Sequence, residues 1–344
     1  MTNFDVTRGL RNPHIQGIVS RLPARKRHVM QQSMRLRELA RPLLLHGGDA
    51  QLLAWHSPAQ NGDSSAPLAL LLHGWEGSSD SLYLLSTAAC LHALGFQILR
   101  LNLRDHGASH HLNRELFHSC RDGEVAAAID DALTRLTPRA AALVGFSLGG
   151  NFCLRVGTLL AATRPVKQII AVCPVLDPSK TLQALEQGPW FYRQYFLRKW
   201  RESLQRKANV HPDLQPRLHW QGQNTLTDMT DHFVRSHTDF HDLQAYLAGY
   251  AITGNRLQRL RFPAHVILAD DDPVIPVEDW QHVAPSALLH CERTRYGGHC
   301  GFITDWSFNG WIEQRIAEVL RVTLAEVLNT QATIDASRDR NQKQ

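Results

Sequence analysis

The sequence predicts an α/β protein built on a mostly parallel, doubly wound sheet. Short apolar runs alternate with helix-length amphipathic segments from Leu68 to Val172, and the alternation resumes at Ala264. Glycine- and histidine-rich turns follow several of these runs, and Gly145-Phe146-Ser147-Leu148-Gly149 sits between one run and the helix after it. Strands joined by helices of this length need parallel crossovers, which cover both faces of a sheet. In such sheets ligands bind beyond the carboxyl ends of the strands.

At 344 residues the chain has room for one large domain or two smaller ones. A hydrophobic content of 43% with 20% charged residues is that of an ordinary globular chain, not a disordered one. No apolar stretch approaches bilayer length, and Met1-Thr2-Asn3-Phe4-Asp5 lacks the basic start and apolar centre of a signal peptide, so cytoplasm is the expected compartment. The cysteines (Cys90, Cys120, Cys153, Cys173, Cys291 and Cys300) form no C-x-x-C pair, which argues for free thiols rather than a zinc ribbon or disulfide scaffold. Histidines gather at His106, His110, His111 and His118 without an established ligand spacing, so no metal is expected. The net charge of +5 comes from the first 48 residues, where nine Lys/Arg face only Asp5 and Glu38. That basic arm could touch anionic lipid headgroups, as a peripheral membrane contact. Without a nucleic-acid-binding motif, nucleic acid is not an expected partner, and a solvated or domain-strapping arm is the simpler reading.

Residues 1–35 form this arm and show no regular periodicity. Arg41–Leu45 and Gln51–Trp55 flank His46-Gly47-Gly48-Asp49 as a hairpin, and residues 57–66 read as a loop. Leu68–Leu72 is a buried-type strand leading into His73-Gly74-Trp75-Glu76-Gly77-Ser78, followed by a helix over Ser81–Leu94. Phe96–Leu101 is the next strand, Glu124–Leu136 a helix, and Ala140–Val144 the strand before Ser147. A helix then spans Phe152–Leu160 and a strand Val166–Val172. Residues 177–254 carry aromatic residues among basic ones and no strand pattern, which predicts a helical cap inserted over the carboxyl rim. The core, residues 36–176 and 255–330, resumes with strands at Ala264–Ala269 and Ala287–Arg293 and closes with an amphipathic helix over Trp311–Leu328. The polar tail, 331–344, is expected to be disordered.

Ser147 between a strand and a helix fits a nucleophile elbow, in which a strained turn projects Oγ and flanking glycines let the strand and helix approach. A serine hydroxyl is a weak nucleophile at neutral pH and needs a base, and imidazole, with a pKa of about 6.5, takes and returns its proton. His299 follows the last strand between Gly297-Gly298 and Gly301; a histidine in a turn is often structural, but its place at a strand end favours the base. Asp270, Asp271 and Asp272 supply the acid: Asp272 fits the D-x-x-x-P spacing through Pro276, with Asp271 in reserve. The order Ser147, Asp272, His299 on a doubly wound sheet is the α/β-hydrolase arrangement. The oxyanion donors are then Leu148 N–H and an N–H of the His73-Gly74-Trp75 turn, that of Trp75, while His73, Gly74 and His106 are expected to border the substrate.

The motifs Pro13-His14-Ile15-Gln16, His73-Gly74-Trp75-Glu76-Gly77-Ser78, Leu116-Phe117-His118-Ser119, Gly145–Asn151, Asp271-Asp272-Pro273 and Gly297-Gly298-His299-Cys300-Gly301-Phe302 together resemble the YheT-like group of α/β hydrolases. The resemblance runs from Asn12 to the final helix and implies a carboxylesterase or acylglycerol-lipase type of serine hydrolase with no metal or organic cofactor. The chain departs from the group's usual residues at Gly17 (Thr), Trp75 (Leu), Cys300 (Val) and Asp105 (Gly). The expected substrate is a small-molecule or lipid ester; an acyltransferase using the same triad and a non-catalytic lipid- or partner-binding protein are the alternatives. Acyl-chain length, head group and oligomeric state have no signature in the sequence.

Overall fold

The structure is a computed structural model describing residues 4, 6–217, 222–322 and 325. Its sheet comprises β1 (Arg41–Gly47), β2 (Ala50–Ser57), β3 (Leu68–Leu72), β4 (Gln97–Leu101), β5 (Ala141–Phe146), β6 (Val166–Val172), β7 (Ala264–Ala269) and β8 (Leu289–Thr294) in the order β1-β2-β4-β3-β5-β6-β7-β8. β1 and β2 form the expected antiparallel hairpin, turning at Gly48 with φ 70°, and β2 runs antiparallel to β4. The other pairings are parallel. Their register brings strand ends together, with Leu72 opposite both Leu101 and Gly145, and Phe146 opposite Val172.

The helices are α1 (Pro13–Val19), α2 (Pro23–Gln32), α3 (Met34–Leu39), α4 (Leu82–Ala93), α5 (Asp122–Leu136), α6 (Leu148–Leu159), α7 (Pro178–Gln187), α8 (Trp190–Val210), α9 (Leu226–His237) and α10 (Leu243–Tyr250). A further helix, α11, covers 311–322; residues 323, 324 and 326–328 of the predicted helix and the predicted tail lie outside the described residues. Alternation along β3 explains the layering. Leu68, Leu70 and Leu72 enter one core with α5, α6 and the cap, whereas Ala69 and Leu71 enter a second core with α4, the N-terminal segment and α11. Strands buried on both faces read as unbroken apolar runs, which is why β3 and β7 match their predicted limits residue for residue.

The irregular arm of the sequence is instead folded into α1–α3. Pro13 and Pro23 occupy first helical positions, and Asn12 caps α1 by accepting from His14 and Ile15 N–H. The inner face buries Phe4, Val6, Leu10, Val19, Val29 and Leu36, and eight of the nine cations are exposed. The exception is Arg25, whose guanidinium lies 2.6 Å from Glu313 on α11 and 3.0 Å from Ser86 Oγ on α4. This buried pair ties the arm to the core. Removing one partner of such a pair leaves a charge without compensation, at a cost of about 3 to 5 kcal/mol. Arg25→Ala is therefore expected to lower the urea-unfolding free energy by about that amount, and Arg25→Met with Glu313→Leu to recover most of it. An unchanged midpoint in the single variant would contradict the assignment.

Candidate active site

Between β5 and α6, Ser147 adopts φ 53° and ψ −121°, a conformation that costs a non-glycine residue about 1 to 3 kcal/mol. Its N–H donates to Val172 O at 2.8 Å and its carbonyl accepts from Asn151 N–H at 3.0 Å, so the neighbouring strand β6 and the following helix α6 hold the turn. The glycines make the approach possible. A Cβ on Gly145 would lie 2.2 Å from Gly149 O, and one on Gly149 would lie 2.4 Å from Leu72 O and 2.5 Å from His73 O. These are backbone atoms that no rotamer change can move.

Ser147 Oγ lies 3.0 Å from His299 Nε2, and His299 Nδ1 lies 2.9 Å from Asp272 Oδ2. Asp272 is almost wholly buried, and its Oδ1 accepts from Val274 N–H at 2.8 Å and Ile275 N–H at 3.0 Å. The three consecutive aspartates have separate jobs. Asp270 pairs with Arg293 at 2.7 Å, and Asp271 Oδ1 accepts from Gly298 N–H at 2.8 Å, which fastens the loop carrying His299. Burial disfavours the imidazolium of His299, but the charge and hydrogen bond of Asp272 together with neighbouring Cys300 outweigh burial and push the pKa up to about 9.

The His299 loop is shaped from the far end of the chain. Gln16 on α1 is fully buried; its amide donates to Leu10 O and Ile303 O and its oxygen accepts from Ile303 N–H at 2.7 Å. A Cβ on Gly298, where φ is 55°, would lie 2.8 Å from Pro13 O, and one on Gly301 would lie 2.9 Å from Gln16 Cβ. The Pro13-His14-Ile15-Gln16 motif is thus the bed on which this loop rests. The sequence flagged the motif but gave Gln16 no role.

A cavity of about 580 Å³ opens over Ser147 and His299, and Gly74, Trp75 and Leu148 line it. Trp75 N–H and Leu148 N–H donate to no protein acceptor among the described residues. Gly74 brings its turn against Ser147, where an added Cβ would lie 3.1 Å from Ser147 Cβ, and Gly74 N–H donates to Tyr83 Oη at 2.9 Å. Tyr83 is a further positioning residue without a local sequence signal; burial pushes its pKa up to about 12 and keeps the hydroxyl neutral.

His73 and His106 do not border the cavity, contrary to the sequence expectation. His73 Nδ1 donates to Gly74 O at 2.8 Å and its Nε2 accepts from Leu103 N–H at 3.2 Å. His106 Nδ1 donates to Arg104 O at 2.7 Å and its Nε2 accepts from Glu76 N–H at 3.2 Å. Both rings are buried, which pulls their pKa values down to about 3 and about 4. As neutral rings with both nitrogens committed to backbone, they brace the loops after β3 and β4. No group of three or more metal-type side chains converges among the described residues.

The cap closes over the rim as α7–α10. Trp75 stacks on Phe196 of α8 at 5.2 Å and meets Trp200 edge-on at 5.4 Å. Beneath, Lys207 of α8 pairs with buried Asp105 at 2.7 Å. Asp105 has φ 57°, a conformation glycine takes without strain, and here the carboxylate ties core to cap. Asn151, four residues into the elbow, donates to Val175 O and Tyr250 O, each at 2.8 Å, joining the elbow helix to the end of α10.

A sequence-family model described as "alpha/beta hydrolase fold" matches residues 67–305. A comparison with curated protein sequences finds no match. Among solved structures, an esterase from Pyrococcus furiosus superimposes with a TM-score of 0.54 at 16% identity, over 82% of this chain and 90% of that one. Carboxylesterase CesB from Bacillus subtilis gives 0.50 at 15% identity, over 87% of this chain and 99% of its own. Naproxen esterase from Bacillus subtilis gives 0.51 at 15% identity, also over 87% and 99%.

The electrostatics yield a testable sign. With Asp272 charged, His299 titrates above the ordinary imidazole value of about 6.5; removing that charge takes away the largest raising influence and leaves burial to pull the midpoint down. The Cε1–H resonance of His299, followed by NMR in wild type and Asp272→Asn, is expected to shift its midpoint downward in the variant. An equal midpoint in both would show that Asp272 does not act on His299.

Proposed function

The chain belongs to the α/β-hydrolase fold family, and on that premise we propose that it is a serine-dependent carboxylic ester hydrolase of the carboxylesterase or acylglycerol-lipase type. The observation that carries the reading is the continuous relay from Ser147 Oγ through His299 to Asp272, at 3.0 Å and 2.9 Å. The likeness to esterases and carboxylesterases supports it at the level of the fold. The motifs shared with the YheT-like group point to the same chemistry.

In the proposed reaction Ser147 Oγ attacks the ester carbonyl carbon while the neutral form of His299, whose share grows as pH rises toward its pKa of about 9, takes the hydroxyl proton on Nε2. The carbonyl oxygen becomes an oxyanion that accepts from Trp75 N–H and Leu148 N–H. Losing one such donor typically costs on the order of 3 kcal/mol. Collapse expels the alcohol, which carries away the proton from His299 and leaves an acyl group on Ser147. Water then attacks with His299 again as base, and the carboxylic acid departs. Asp272 holds the Nδ1–H tautomer and stabilises the imidazolium in both halves. An alcohol in place of water would make the same site an acyltransferase; the hydrolase is preferred because water needs no second binding site.

A fluorophosphonate probe is expected to label the folded protein and to leave Ser147→Ala unlabelled. Hydrolysis of p-nitrophenyl esters of graded chain length should fall at least a thousandfold in the same variant. Labelling that survives Ser147→Ala would contradict the proposal.

A further inference from the structure

Glu76 follows Trp75 in the turn after β3 and lines the same cavity as Ser147 and His299. Its backbone is left-handed, with φ 55°, which costs a residue bearing a Cβ about 1 to 2 kcal/mol. The fold holds it there by committing buried His106 to its N–H. Its carboxyl has no hydrogen-bond partner among the described residues, and the half-buried residue is exposed where the cavity opens. Burial pushes the pKa of this group up to about 8, against the opposing pull of Arg206 and Lys199. At neutral pH it is therefore mostly a neutral acid with one donor and one acceptor to offer.

A carboxyl on the wall of a cavity, beside the candidate reacting groups and with no protein partner, is free to pair with a polar group of the ligand, and a ligand that displaces its water must replace those hydrogen bonds. The surroundings narrow the chemistry. Lys199 and Arg206 of α8 line the same cavity, so an ammonium group would meet two like charges there. Trp75, Phe196 and Trp200 provide aromatic wall beside it, which suits an uncharged group on an otherwise apolar ligand. A hydroxyl both donates and accepts, and it complements the neutral acid.

We infer that Glu76 is a specificity-determining residue that pairs with a free hydroxyl on the substrate, making the preferred substrates hydroxyl-bearing esters rather than plain alkyl esters. The inference rests on the ester-hydrolase reading of the Ser147 site. The test compares kcat/KM for matched p-nitrophenyl esters of an alkanoic acid and its ω-hydroxy counterpart, and for matched alkanoates of butanol and butanediol. Wild type is expected to favour the hydroxyl member of at least one pair by roughly tenfold to a hundredfold. Glu76→Leu should bring that ratio close to one, and Glu76→Gln, which still donates and accepts, should retain part of it. Fluorophosphonate labelling of Ser147 in both variants reports that the site stays assembled. A wild-type ratio near one in both pairs, or a preference that persists in Glu76→Leu, would overturn the inference while leaving the hydrolase reading intact. No labelling of wild type would overturn that reading and this inference with it.

Discussion

The left-handed turn at Ser147 is the constraint on which the rest of the site depends. A serine forced to φ 53° holds its hydroxyl clear of the backbone, at the start of α6, where unsatisfied amides and the helix dipole favour negative charge. Strain of this kind persists only where the surroundings over-determine it. Here they do so by contact, since β5, α6 and the end of β3 approach so closely at Gly145 and Gly149 that no side chain fits. The parallel register then brings the turn after β3 alongside Ser147.

Support for that geometry comes from distant parts of the chain. Gln16 reaches 287 residues along the sequence to fix the backbone beyond His299, and Arg25 locks its own helix, α2, to α11 and α4. The basic N-terminal segment is therefore part of the site's foundation, with every cation but Arg25 turned outward and its apolar side spent on the core. The loop after β4 serves the opposite wall. His106 pins Glu76 in its left-handed conformation, and Asp105, itself left-handed, anchors α8 through Lys207. Core, arm and cap thus meet around one cavity.

Much of this was legible in the sequence, for identifiable physical reasons. Strands buried on both faces announce themselves as apolar runs, and the elbow needs glycine at fixed positions because backbone meets backbone there. The order of serine, acid and base follows from strand order. Other features were hidden. Helices α1–α3 are short, and their charged outer faces obscure a narrow apolar stripe, although Pro13 and Pro23 were available as start signals. His73 and His106 sit at strand ends as functional histidines do, and only coordinates reveal that backbone atoms occupy both nitrogens of each ring. Three adjacent aspartates cannot be told apart by composition; their separation into Arg293, Gly298 and His299 partners depends on where each carboxylate points.

The central claim is that chemistry passes through a covalent bond to Ser147. Rapid-quench mass spectrometry of the protein mixed with a p-nitrophenyl ester tests it most directly. The account predicts a mass increase equal to one acyl group, formed with the burst of p-nitrophenol and mapped by peptide fragmentation to Ser147. Turnover with no acyl adduct, or an adduct on Cys300 instead, would contradict it.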